Sequence, residues 1–187
     1  MVITANTGDS RAVIGRSDSV GCHNELFCSF KAIDLSIDQN PNSPGEMERI
    51  LRLGGFVSPP PEEGLSARVW LDKNFTKVGL AMSRSIGDYS VKSIGVIADP
   101  VVSCYNITDA DEFMIIATDG VWEFISSQNA VDIVASSLKK GNGASVACQT
   151  LIEAAAEKWH ENEGDYRDDI TALVIHLKGV KHPGEIE

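Results

Sequence analysis

At 187 residues the chain has the length of one domain, enough to bury roughly 70% of the surface that its unfolded form exposes. Its 43% hydrophobic and 23% charged residues are ordinary for a globular protein, and no apolar run approaches a membrane span. A formal net charge of −11 argues against nucleic acid and anionic membrane as partners, and a protein this acidic that handled phosphate would need cations to invert its local field. The N-terminus shows no basic segment leading into an apolar core and cleavage site, so the expectation is a cytoplasmic protein. Cys22, Cys28, Cys104 and Cys148 form no C-x-x-C pair and have no histidine at zinc-finger spacing, so they are expected as reduced thiols, at least some of them buried.

In chain order, Val2 to Ala5 reads as a strand, Asn6 to Ser10 as a turn and Ala12 to Ile14 as a return strand, which puts Asp9 at a hairpin tip beside Arg11. A start in mid-hairpin is also what a truncated chain looks like. Leu26 to Ile33 reads as a strand. A helix is expected from Ser43 as cap, with Glu46 completing a capping box, Met47, Ile50, Leu51 and Leu53 as an apolar stripe, and Gly54-Gly55 as its stop. Phe56 to Gly64, with Pro59-Pro60-Pro61, is expected as exposed loop. Ala67 to Leu71, Val78 to Met82 and Val101 to Ile107 read as strands.

The stretch Asp111 to Phe124 organises the rest. Phe113 to Ala117 has no polar alternation and reads as a strand buried on both faces, with Asp119 and Gly120 just beyond its end. A carboxylate there, with a sharp turn behind it, suits a hard metal ion. Read alone, Asp-Gly is more often a plain turn than a metal site. Two helices follow, one capped by Ser126 or Ser127 and running to about Lys140, the other from about Ala144 to Glu161. Gly164 to Asp169 then delivers the chain into a buried strand, Ile170 to Ile175. If that strand is the antiparallel neighbour of the first, Asp119 and Asp168 lie at one end of the sheet.

Four pieces stand in order: Asn6-Thr7-Gly8-Asp9-Ser10-Arg11, Ser83-Arg84-Ser85-Ile86-Gly87-Asp88, Thr118-Asp119-Gly120-Val121-Trp122-Glu123 and Asp168-Asp169-Ile170-Thr171. Together they closely resemble the metal-dependent protein serine/threonine phosphatases of type 2C, and the resemblance runs from about Val2 to Leu177. It implies an α+β fold, a truncated four-layer α/β/β/α sandwich of antiparallel sheets flanked by helices. The phosphatase-like region would be residues 1–178, with a flap-like segment at 38–71, a helical pair at 126–161 and a C-terminal tail at 179–187. The resemblance also implies a phosphoprotein substrate and two or three Mg2+ or Mn2+ ions, whose bridging water attacks phosphoserine or phosphothreonine.

Carried over by motif, Asp119 and Asp168 correspond to ligands of the binuclear centre, Asp9 to a ligand of an additional weaker site, and Glu123 to a further acidic position near it. Asp88 corresponds to an architectural residue. Glu123 stands where the family most often has Asp, and Asp169 where it usually has Asn. The family's Asp-Gly-His-Gly motif, whose aspartate bridges the metals, is absent, since the only Asp-Gly here is Asp119-Gly120. The chain alone is therefore expected to bind metal weakly, to be inactive, and to form a homodimer or swapped assembly through unpaired sheet edges. The alternative is a non-catalytic, phosphatase-like interaction domain. An aspartyl-phosphate mechanism at Asp109-Ala110-Asp111 fails because the buried run follows the pair rather than preceding it.

Overall fold

A computed structural model of the chain describes residues 1–18, 29–60 and 66–177. Cys22, Cys28, the start of the strand expected from Leu26, Pro61 and the 179–187 tail therefore lie outside the described residues. The backbone contacts divide the chain into two units, one of Met1–Val2, Ala12–Leu35 and Cys104–Glu187, the other of Ile3–Arg11 and Ser36–Ser103. The α+β expectation, with antiparallel sheets and flanking helices, holds.

The first unit is built on a four-stranded sheet. Strands β2 (Arg11–Ser17), β3 (Phe30–Asp34), β7 (Asp111–Ala117) and β8 (Ala172–His176) take the order β3-β2-β7-β8. The pairs β2/β3 and β7/β8 are antiparallel, with Ala117 opposite Ala172. Side chains of a strand alternate between faces, and β7 obeys this. Phe113, Ile115 and Ala117 pack under the helices α3 (Asp119–Trp122), α4 (Ser127–Lys139) and α5 (Ala144–Glu163), while Met114 and Ile116 join Ile14 and Leu35 on the other side. The strand is not fully buried on both faces as expected. Phe113, Ile115 and Ala117 are buried, and Met114 and Ile116 only half so.

Gly15 of β2 shows why one core position carries no side chain: a Cβ there would stand 2.2 Å from Cζ of Phe113, whose ring fills the space. The helices follow their sequence signals closely. The Ser126 hydroxyl caps α4 by accepting from the Asn129 amide, and Gly141, at φ 82°, separates α4 from α5. On α5 the buried stripe is Ala147, Leu151, Ala155 and Trp159, while Val146 beside it is 48% exposed.

Below the sheet, Asp111 is buried and fully engaged. Its carboxylate accepts from Arg16 Nε (2.9 Å), the Tyr105 hydroxyl (2.9 Å), the Thr108 amide (2.8 Å) and the Thr108 hydroxyl (3.1 Å). Burial acts to raise its pKa, but the donors led by Arg16 outweigh burial and hold it below the usual carboxylate range. Burial and the same carboxylate push the Tyr105 phenol up to about 12. An aspartate so saturated has no lone pair to offer as a nucleophile.

Most of β1 (Val2–Asn6) falls in the second unit, and its partner is β6 (Val101–Tyr105), not β2. The expected hairpin is therefore absent, and the turn bearing Asp9 joins two different sheets. It is pinned instead by the 36–39 segment: the Gln39 amide donates to Gly8 O (3.0 Å), and Arg11 makes a bidentate pair with Asp38 (3.0 and 2.6 Å).

Helix α1 (Glu46–Arg52) is capped at Gly45, not Ser43, and it is the Glu48 carboxylate that accepts from the Gly45 amide. Of the expected stripe only Ile50 is buried, since Met47, Leu51 and Leu53 are 37–49% exposed. Glu46 serves instead as a charge hub. Arg49 and Arg84 each grip it with two guanidinium nitrogens, and the Ser83 hydroxyl donates at 2.6 Å. Burial opposes ionisation, but Arg49, Arg84 and Ser83 together hold the Glu46 pKa well below the carboxylate range.

Strand β4 (Phe56–Ser58) stands where exposed loop was expected, and it pairs antiparallel with β5 (Arg68–Trp70), which lies within the strand expected over Ala67 to Leu71. A two-stranded ribbon has open edges, so Pro59 and Pro60 can follow a strand without breaking a ladder. After Trp70 the expected strand Val78–Met82 is reduced to a single bridge between Leu80 and Val69. Phe75 and Val78 adopt left-handed φ values of 55° and 58°, each costing about 1–3 kcal/mol in a non-glycine residue. The Asp72 carboxylate organises this loop by accepting from the amides of Asn74, Thr76 and Lys77 and from the Thr76 hydroxyl. A further short helix, α2 (Tyr89–Lys92), follows Asp88.

Replacing Asp111 with Ala is expected to cost about 2–3 kcal/mol, below the range for a fully buried pair because the Arg16 side chain is 34% exposed. Because its folded-state pKa is depressed, the contribution of Asp111 is present above the ordinary carboxyl value of about 4 and is lost as pH falls through the folded value. Urea melts of wild type and Asp111→Ala between neutral and strongly acidic pH should converge as the pH drops. A constant gap would remove this account.

Candidate functional site

Two chain segments meet where β7 ends and β8 begins. The Thr118 amide donates to Thr171 O (3.0 Å), its hydroxyl donates to Asp169 O (3.3 Å), and the Thr171 amide donates to that hydroxyl (3.2 Å). Gly120 completes the junction by close approach. A Cβ on it would stand 2.3 Å from Asp169 O and 3.1 Å from Ile170 Cα, so a side chain at 120 cannot coexist with the 168–171 segment where it lies. The expectation of a sharp turn at Gly120 fails, since Asp119 opens the short helix α3, with Thr118 at its N-cap in extended conformation.

The consequence is a shared end for the acids. Asp119 stands two residues after the Ala117–Ala172 pair and Asp168 four residues before it, both at the same end of the antiparallel strands and both half-buried. The Asp168 carboxylate accepts from the Asp169 amide at 2.7 Å. Glu123 caps the far end of α3, one helical turn from Asp119, and its amide donates to Asp119 O (2.9 Å). Asp9 belongs to the other unit, in the turn between β1 and β2, where it is half-buried. Asp88 is exposed at the start of α2 in left-handed conformation (φ 47°).

The junction rests on an aromatic footing. The buried Trp159 indole on α5 donates to Gly120 O (2.7 Å), and the Trp122 indole donates to Ala117 O (2.7 Å). Phe124 and Tyr166 stand edge-on to Trp159, with ring centroids at 4.8 and 5.8 Å. The signal available in the sequence was the presence of two tryptophans in the flanking helices, because a buried indole N–H needs an acceptor.

In donor chemistry, Asp119, Glu123 and Asp168 offer hard carboxylate oxygens of the kind that Mg2+ and Mn2+ prefer. Yet among the described residues no group of three or more histidine, cysteine or acidic side chains is placed to hold a metal ion. These acids thus suit a divalent cation in donor chemistry, and among the described residues they do not complete a binuclear site. Of the two described thiols, Cys104 is exposed and Cys148 donates to Ala172 O at 3.3 Å.

The Protein phosphatase 2C family model matches residues 2–164. The chain belongs to the protein phosphatase 2C family. "Probable protein phosphatase 2C 72" of Arabidopsis thaliana is 39% identical over 183 residues, covering 97% of this chain and 52% of that protein. "Probable protein phosphatase 2C 66" of Oryza sativa subsp. japonica is 35% identical over 187 residues, covering 100% of this chain and 33% of that protein. Among solved structures, the serine-threonine phosphatase 2C from Toxoplasma gondii superposes with a TM-score of 0.73 at 27% identity, covering 93% of this chain and 54% of that chain. The chain thus spans between a third and just over half the length of these relatives. No described helix of this protein phosphatase 2C chain is long and apolar enough to cross a membrane.

Gly120→Ala is expected to destabilise the first unit by about 1–3 kcal/mol through overpacking against Asp169. Chemical denaturation checks this, and hydrogen exchange should show the Thr118 and Thr171 amides losing protection first. An unchanged midpoint with intact protection would mean that the close approach is not a constraint.

Proposed function

We propose that the chain is part of a metal-dependent protein serine/threonine phosphatase, with Asp119 and Asp168 as ligands of a binuclear Mg2+ or Mn2+ centre, Glu123 as a nearby acidic group and Asp9 as a ligand of an additional, weaker metal site. The single observation that supports this most is that Asp119 and Asp168 share one end of the β7/β8 pair, interlocked through Thr118, Gly120, Asp169 and Thr171. The metal pair, when bound, supplies an acidified water for attack on phosphoserine or phosphothreonine and neutralises charge on the phosphoryl oxygens. The chain's own acids hold and orient those cations.

In this reading residues 1–178 form a partial phosphatase domain, 38–71 a flap-like segment and 126–161 its helical pair. The 187 residues hold no Asp-Gly-His motif, so the proposed ligand set is incomplete and the chain by itself does not turn over substrate. Ligand number and charge set affinity in oxygen-donor sites, so its metal binding is weak. The competing reading, a non-catalytic interaction domain of the same fold, has no use for acids at these positions.

Calorimetric titration with Mn2+ is expected to show weak binding by the wild-type chain that Asp119→Ala and Asp168→Ala each abolish. Binding unaffected by either substitution overturns the ligand assignment and favours the non-catalytic reading. In parallel, hydrolysis of a phosphothreonine peptide with Mn2+ is expected to stay at the level of the chelated control. Turnover abolished by chelator and by Asp119→Ala would support the phosphatase reading and overturn the proposed inactivity.

A specific observation also favours self-association. Among the described residues β8 pairs only with β7, and it exposes Leu173 (57%) and Ile175 (38%). An apolar edge strand of this kind is a template for pairing with another chain. Size-exclusion chromatography with light scattering is expected to give a dimer that Leu173→Lys dissociates, and a clean wild-type monomer would overturn this.

A further inference from the structure

The loop from Trp70 to Gly79 combines features that a plain connector does not need. Between Arg68 and Gly79 stand three cations and one acid, a local net charge of +2 in a chain whose total is −11. The acid, Asp72, is occupied by three backbone amides and the Thr76 hydroxyl, and Arg68 donates to Gly79 O at 2.7 Å. That leaves Lys73 and Lys77. Both are exposed, and among the described residues neither ammonium forms an ion pair.

Beside these lysines the loop presents apolar surface. Phe75 is 43% exposed and Val78 40%, and both stand at left-handed φ values that L side chains other than asparagine and aspartate rarely adopt. Strain of this kind persists only where the surroundings over-determine it, and here they do. Asp72 clamps the loop from inside, and the Phe75 ring stands 5.8 Å from the Trp70 ring. The Trp70 indole donates to Ser58 Oγ at 2.9 Å, and a Cβ on Gly79 would meet its ring at 2.7 Å. The platform is therefore preorganised, so a ligand would not have to order it.

We propose that the Trp70–Gly79 loop is a docking surface for an acidic protein segment, whose carboxylates meet Lys73 and Lys77 while an adjoining apolar side chain packs on Phe75 and Val78. The charge argument decides the occupant. A basic segment would face two ammonium groups that no described carboxylate pairs with, and a purely apolar one would leave them unused. The proposal rests on the phosphatase reading only in taking that segment to be part of the phosphoprotein substrate, engaged away from its phosphorylated residue.

The test is fluorescence anisotropy of a labelled peptide of Asp and Glu around a central Leu, titrated with the whole chain in the presence of chelator. Wild type is expected to bind saturably and to weaken log-linearly as salt rises, while a matched lysine-for-acid peptide does not bind. Lys73→Glu with Lys77→Glu, and separately Phe75→Ser, are each expected to weaken binding about ten-fold or more. Circular dichroism confirms that the variants are folded, and the wild-type salt series stands without them. No saturable binding, equal binding of the lysine peptide, or affinity indifferent to charge reversal overturns the proposal. The measurement needs neither metal nor turnover. A hydrolytic chain whose binding ignores Lys73 and Lys77 therefore overturns the docking surface alone, and charge-dependent docking in a chain whose Mn2+ affinity ignores Asp119 overturns the phosphatase site alone.

Discussion

Everything proposed for the acids depends on how tightly the end of β7 is locked to the start of β8. The lock is made of backbone and small groups: the Thr118 hydroxyl between Asp169 O and the Thr171 amide, and Gly120 with no side chain against the Asp169 carbonyl. Such a junction has little freedom to relax. It fixes where Asp119 leaves one strand and where Asp168 enters the other, and Trp159 reinforces it from beneath by holding the Gly120 carbonyl. In the proposed reading, a bound cation would offset the repulsion between acids held at one end of the sheet.

The second unit is organised by charge more than by apolar burial. Its core is small, Ile50, Val69, Val91 and Val96, and next to it Glu46 gathers Arg49, Arg84 and Ser83 into a single ionic cluster. A carboxylate taken out of water is tolerable only when its lone pairs are met, and here both oxygens are. The cluster ties helix α1 to the Ser83-Arg84 piece of the family signature. That gives the motif a structural explanation independent of catalysis: Ser83 and Arg84 hold the chain in place, and Asp88, exposed at the start of α2, takes no part in the cluster.

Much was legible in the sequence because it rests on local physics. Helices α4 and α5 were visible from their periodicity, a serine cap and glycine breaks, and β7 and β8 from uninterrupted apolar runs; the α+β fold came from the family resemblance, and the shared end of Asp119 and Asp168 hung on the antiparallel pairing of β7 with β8 that the structure supplies. Where the reading failed, a distant partner decided. Val2–Asn6 and Arg11–Ser17 look like a hairpin, yet each finds its partners elsewhere in the chain, which short-range pattern cannot register. Glu46 looks like a capping residue until Arg84, distant in sequence, claims it. The strand expected at Val78 gives way to a loop clamped by Asp72.

The sequence by itself determined which segments could be helix or strand, that the chain is strongly acidic with a formal net charge of −11, and which family its motifs resemble. Those properties are carried by neighbouring residues and by composition. Only the tertiary structure decided that Gly120 is needed for contact rather than for a turn, that Asp111 is saturated, and that Lys73 and Lys77, without an ion pair among the described residues, stand beside Phe75 and Val78. Each of these depends on which atoms approach across the fold, a distance that no local pattern in a single sequence encodes.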